Sequence, residues 1–216
     1  MHYRAMTYTA FPKNAGPATP SVVLAMHIWG VDENMRACAR RFADAGFATV
    51  VPDIYEGMGA PNGDGETDHK RFLPFAQKLT FEVVDPAIRA GAQLLRERFP
   101  QTRTAIAGFC MGGVMALRRS YGYSDIFSAA AVWYGGLNAV DGSNVDIPIV
   151  ASFGADDTGI PLEAVQTFEQ ALHVPHDVKV YPGAGHAFCD ETRSSYEPRA
   201  CEDSWTRALA FLRKHL

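Results

Sequence analysis

Gly108-Phe109-Cys110-Met111-Gly112-Gly113 stands between the apolar run 103–107 and the helix-like stretch 114–118. A small residue two places before and two places after the centre is what a nucleophile elbow needs, a strand-to-helix turn that holds its central residue in a strained backbone conformation. The centre here is Cys110. A thiol at a helix N-terminus gives up its proton more readily than the serine that usually fills this place. A cysteine after a strand is also an ordinary small core residue, so the catalytic reading depends on residues further along the chain. After a strand-like segment at 147–153 comes Gly154-Ala155-Asp156-Asp157, and after another at 178–181 comes Pro182-Gly183-Ala184-Gly185-His186. The order is nucleophile, acid, histidine, with Asp156 or Asp157 as the acid and His186 as the base. Each lies just past the carboxyl end of a strand, the edge where open α/β sheets bind ligands.

The elements that must position these residues alternate. An edge strand is expected at Met6–Thr9, followed by a proline-rich loop to Pro20. The apolar runs 21–26 and 48–51 read as strands buried on both faces, and between them 32–45 has helical spacing, with Asp32 as N-cap and Gly46 at the C-cap. Further along, helices are expected at 85–99, 161–172 and 196–216 and directly after the elbow. Strands are expected at 104–107, 129–134, 147–153 and 178–181. Such alternation predicts an α/β fold, a mostly parallel sheet flanked by helices on both faces. The glycine-rich stretch 55–65 reads as a pocket rim, a lid or a plain surface loop.

The 216 residues are 47% hydrophobic and 20% charged, enough apolar material for a single domain over 1–216. A formal charge of −4 without a basic block argues against nucleic acid or an anionic membrane surface as partner. The expected partner is a small molecule, neutral or modestly charged. No run approaches the ~20 apolar residues of a membrane helix, and no apolar signal core follows Met1, so a soluble, cytoplasmic protein is expected. Cys38, Cys110, Cys189 and Cys201 show no zinc-like spacing and are expected to be reduced thiols, Cys38 as a packing residue and Cys189, three residues after His186, as a packing residue or one near the pocket. No dinucleotide fingerprint, phosphate loop or paired metal-ligand spacing occurs, so no cofactor and no metal is expected. His2, His69, His173, His176 and His215 are scattered and read as surface or packing residues. The sequence leaves the oligomeric state open.

His27-Ile28-Trp29-Gly30, Val51-Pro52-Asp53-Ile54-Tyr55, the elbow, Gly154-Ala155-Asp156-Asp157 and Gly185-His186-Ala187-Phe188 together resemble the dienelactone hydrolase (carboxymethylenebutenolidase) family, in order and over nearly the whole chain. The resemblance implies an α/β-hydrolase fold without a large cap domain, a Cys-Asp-His triad, and hydrolysis of lactones or small esters. Carried across, Cys110 is the nucleophile, Asp157 the acid that orients the imidazole, and His186 the base that later protonates the leaving group. The backbone N–H groups of Ile28 and Met111 would form the oxyanion hole, and Tyr134 matches a tyrosine that lines the pocket, or is a packed ring.

Two positions depart from the family pattern. His27 stands where dienelactone hydrolases carry a glutamate that gates the cysteine; it either tunes the thiol or shapes the oxyanion loop. Asp190 stands where the family places an arginine for the substrate carboxylate, and an acid there repels an anion. Arg193, Arg71 and His69 are the nearest substitutes. The leading expectation is a cysteine-dependent ester or lactone hydrolase working through an S-acyl intermediate. The alternatives are promiscuous aryl ester or phosphotriester hydrolysis on the same triad, and a non-catalytic thiol redox sensor.

Overall fold

The computed structural model describes residues 7–138 and 140–216. The expected roles of His2 and of Met6 as a strand start lie outside the described residues. The chain divides into two compact units, Met1–Thr104 and Ala105–Leu216.

In the first unit, β1 (Thr7–Ala10), β2 (Ser21–Ala25) and β3 (Ala48–Pro52) lie in the order β1-β3-β2, β1 antiparallel to β3 and β2 parallel to it. Every residue of β2 and β3 is buried, which requires cover on both faces of the pleat, because successive side chains point to opposite sides. Helix α1 (Glu33–Asp44) packs on β1 and β3. Asp32 caps it as expected, its carboxylate accepting the Met35 N–H, and Gly46 follows the C-cap at φ +95°. Helix α2 (Leu73–Ala76) is a single turn that the sequence pattern does not announce. Helix α3 (Phe81–Arg98) packs on β2 and β3. It starts four residues before the expected Asp85: Pro86 looks like a helix start but sits in the second turn, where its missing N–H forfeits one bond.

In the second unit β4 (Thr104–Phe109), β5 (Ala129–Trp133), β6 (Ile149–Gly154) and β7 (His176–Tyr181) pair in that order, all parallel. β4, β5 and β6 are wholly buried, while β7 is half open on its outer side. Helix α4 (Met111–Arg118) follows β4 directly and packs on β5. Helix α5 (Leu162–Ala171) packs on the 3-10 turn Gly142–Asn144, and α6 (Pro198–His215) on β5 and β6. Phe109 stacks on Trp133 at 4.4 Å, Trp133 meets Trp205 of α6 at 5.0 Å, and the Trp133 indole N–H donates to Ser204 Oγ at 2.9 Å. That aromatic wedge secures α6 to the strand that delivers Cys110.

One expectation is overturned. Cys189 and Cys201 form a disulfide, with Cα atoms 4.6 Å apart, so they are not reduced thiols; Cys38 and Cys110 remain outside any disulfide. The chain doubles back between residue 190 and the first turn of α6 and joins two cysteines twelve apart, a pairing that no local spacing announces. Among the described residues no helix is long and apolar enough to cross a membrane.

Candidate active site

The elbow is built as its spacing requires. Cys110 has φ +53° and ψ −117°, a conformation that side-chain-bearing residues adopt only under constraint. Its N–H donates to the Trp133 carbonyl (3.0 Å) and its carbonyl accepts from Val114 N–H (3.1 Å), so the backbone is pinned on both sides. Gly108 permits the turn: a Cβ there would lie 2.1 Å from the Gly112 carbonyl oxygen. The sulfur sits at the N-cap of α4, facing the positive end of its dipole, and Met111, the first helical residue, has an N–H with no acceptor inside its own helix.

The other two members come from the loops after β6 and β7, which lie against each other. Ala155 N–H donates to the Tyr181 carbonyl and Asp156 N–H to the Ala184 carbonyl, both at 2.9 Å. A Cβ on Gly154 would fall 2.3 Å from the Ala184 oxygen, so only glycine lets the loops approach this closely. The contact sets Asp157 Oδ2 2.7 Å from His186 Nδ1, while its Oδ1 accepts the Gly159 N–H at 2.9 Å. His186 Nε2 lies 3.1 Å from Cys110 Sγ. Asp157, buried, is the carboxylate that meets the imidazole; Asp156 is exposed. Burial lowers the pKa of His186, but its hydrogen bonds to Asp157 and Cys110, with their negative charges, outweigh burial and push it up to about 10.

Tyr134 is buried at the end of β5 with φ +38°, its ring edge-on to His186 at 5.3 Å and to Phe188 at 5.2 Å. The Tyr134 ring thus packs beside the imidazole. In the first unit, the buried His27 Nε2 is bound to Asp32 Oδ1 at 2.8 Å, and the same oxygen caps α1 through Met35 N–H. His27 to Gly30 forms a turn closed by Gly30 N–H on the His27 carbonyl (3.1 Å), and the Tyr55 hydroxyl donates to the Ile28 carbonyl (3.1 Å). His27 thus begins the turn that carries Ile28. Asp190 is 2% exposed and accepts from Thr192 N–H, from the Thr192 hydroxyl and from Arg193 Nε. It closes its own turn instead of presenting a bare charge, and its partner is Arg193. Arg71 is paired with Glu66. The Cys189–Cys201 bridge and the Asp32 partner of His27 escape sequence reasoning; only the Asp32 cap signal is there to be read.

The dienelactone hydrolase family model matches residues 5–216. The chain belongs to the dienelactone hydrolase family. A protein named "Putative carboxymethylenebutenolidase" from Escherichia coli (strain K12) is 31% identical over 227 residues, covering 96% of this chain and 82% of the relative. "Protein usf" of Aquifex pyrophilus is 29% identical over 220 residues, covering 97% and 93%. Among solved structures, one described as "Putative Dienelactone Hydrolase" from Klebsiella pneumoniae superposes with a TM-score of 0.85 at 28% identity, over 96% of this chain and 92% of that one. A dienelactone hydrolase-like promiscuous phosphotriesterase from metagenomic libraries shares the fold, with a TM-score of 0.74 at 21% identity over 97% and 98% of the two chains. As a dienelactone hydrolase family member, the protein has the α/β-hydrolase fold and is a hydrolase of the esterase type.

Proposed function

We propose that the protein hydrolyses lactones or small carboxylic esters through a thioester on Cys110, with 1–216 acting as one domain. The observation that carries the reading is the unbroken line from Asp157 through His186 to Cys110, at 2.7 and 3.1 Å. With its proton held on His186 Nε2, the Cys110 sulfur attacks the carbonyl carbon. The N–H of Met111, at the N-terminus of α4, receives the negative oxygen of the tetrahedral intermediate. Its collapse expels the alkoxide, which takes the proton from Nε2 and leaves the acyl group on sulfur. Water, losing its proton to Nε2, attacks the thioester; the acid departs and Cys110 is regenerated. Asp157 keeps Nδ1 as the donor throughout, so that Nε2 is the nitrogen that exchanges protons with substrate. Tyr134 tunes this arrangement by packing on the imidazole.

Asp190 supplies no cation for a substrate carboxylate, which favours a neutral lactone or aryl ester over an anionic dienelactone. Phosphotriester cleavage is a second reading, supported by the activity named for the metagenomic relative. The experiment is release of p-nitrophenolate from p-nitrophenyl acetate and from diethyl p-nitrophenyl phosphate by wild type and Cys110→Ala, with the trapped acyl-enzyme weighed by mass spectrometry. Turnover of the acetate that disappears in the variant, with an acetyl mass on Cys110, is expected. Equal rates in the two proteins, or no turnover of either ester together with peroxide oxidation of Cys110, would replace the hydrolase reading with the thiol sensor.

A further inference from the structure

We infer that α6 is a clamp on the histidine loop, gripping residues 181–190 at both ends so that His186 stays in line with Asp157 and Cys110. The inference rests on the thiol-hydrolase reading above. Between its ends the loop makes little regular structure and takes positive φ at Gly183 and Ala187, on either side of the histidine. Left to itself such a segment samples many conformations, and ordering it costs backbone entropy at every residue. Something must hold it.

At the start of the loop Tyr181, the last residue of β7, donates its hydroxyl to Asp203 Oδ2 at 2.7 Å and accepts from Arg207 Nη1 at 3.0 Å; both partners belong to α6. Arg207 also donates through Nε to Asp177 Oδ2 and through Nη2 to the Asp177 carbonyl, each at 3.1 Å, and Lys179 donates to Asp203 at 2.7 Å. Helix and strand are thus stitched together where the loop departs. Burial and the Asp203 carboxylate outweigh Arg207 and push the Tyr181 phenol up to about 12, so it stays a donor across the working range. At the end of the loop the Cys189–Cys201 disulfide joins it covalently to the first turn of α6, and Glu197 N–H donates to the Phe188 carbonyl at 2.9 Å. Between the anchors Phe188 lies against Tyr181 (5.4 Å) and Tyr134 (5.2 Å), and Tyr134 against His186 (5.3 Å). Slack at either anchor therefore reaches the imidazole through packed rings. Tyr181 and the disulfide are positioning groups: neither touches the reacting atoms.

The test compares wild type with Tyr181→Phe and with Cys189→Ala/Cys201→Ala on p-nitrophenyl acetate. A displacement of ~1 Å at a catalytic group can cost about 100-fold, so a partial slackening is expected to lower kcat by about 10-fold with KM held within about 2-fold. The alkaline limb set by His186 is expected to move down from about 10, because the imidazole loses alignment with its two anionic partners. Dithiothreitol supplies a control that needs no variant. Its two electrons and two protons open the bridge to two thiols as the reagent closes to its cyclic disulfide; wild type should fall to the level of the double variant, which should not respond. Folded variants with wild-type kcat and an unmoved limb would leave α6 a passive tether and overturn the clamp. If wild type shows no Cys110-dependent turnover, the hydrolase reading fails separately. The clamp is then read from the NMR titration of His186 in Tyr181→Phe, where a lowered pKa supports it and an unchanged one refutes it.

Discussion

Asp157→Asn separates geometry from proton logic at the site. The buried carboxylate serves two donors, the Gly159 N–H through Oδ1 (2.9 Å) and His186 Nδ1 through Oδ2 (2.7 Å). An asparagine has one oxygen. Kept on Gly159, it turns an NH2 toward His186, which makes Nδ1 the acceptor and places the remaining ring proton on Nε2, pointing at Cys110. Turned the other way, it strands the Gly159 N–H against an NH2, at a cost of about 1–3 kcal/mol. The first arrangement is favoured, and in it Nε2 has no lone pair for the thiol or water proton. An analogous carboxylate-to-amide change in a serine triad costs about 10⁴ in kcat; the exchangeable thiol proton should soften this to ~10²–10⁴ here. The imidazolium, which donates from both nitrogens, is disfavoured beside an NH2, so the His186 pKa should fall by at least ~1 unit from about 10. Burst and steady-state hydrolysis of p-nitrophenyl acetate from pH 6 to 11, with NMR titration of the imidazole, read both effects. Activity within a few-fold of wild type, with the alkaline limb still near 10, would refute the assignment of Asp157.

Because the folded-state pKa of His186 is raised from 6.5 to about 10, the stability drawn from its proton is whole below pH 6.5 and lost as pH rises through 10. The Tm gap between wild type and Asp157→Asn should therefore narrow from the low to the high end of that window, and a gap that widens with pH would contradict it. Gly108→Ala places a Cβ 2.1 Å from the Gly112 oxygen, in backbone that cannot yield, and should cost at least ~1–3 kcal/mol in urea unfolding together with nucleophile activity. Asp32→Ala removes the α1 cap and leaves the buried His27 without this partner; about 2–3 kcal/mol of stability should go, against little loss for Asp32→Asn, which retains an oxygen for the cap. Opening the Cys189–Cys201 bridge by the double alanine variant should cost about 2–3 kcal/mol by the loop-entropy argument for a twelve-residue separation, read by denaturation with and without reductant.

The range of each interaction decides how far it is legible in the chain. The apolar runs of β2, β3 and β4 and the Asp32 cap are short-range signals, and their elements fall where the pattern puts them to within a residue or two. The start of α3 is ambiguous in sequence because Pro86 marks a helix start and a second-turn position with the same letter. β6 begins two residues later than its apolar run, since Pro148 has no N–H for a ladder and Ile147 lies outside it. His27 is a matter of partner: five residues separate it from Asp32, and nothing in the spacing says that the chain turns between them to close a 2.8 Å contact.

From the sequence alone came the alternation of elements, the elbow with Cys110 at its centre, the chain order of nucleophile, acid and histidine, and the family resemblance, because periodicity, turn chemistry and motif spacing are written within a few residues of where they act. The tertiary structure alone decided that Asp157 rather than its neighbour meets His186 and that Cys189 finds Cys201. Those pairings depend on two loops from parallel strands meeting at a glycine with no room for a side chain, and on a helix folding back over the second of them. Contacts between segments far apart in the chain arise only when the strands have taken their order, and no residue carries that order in its type.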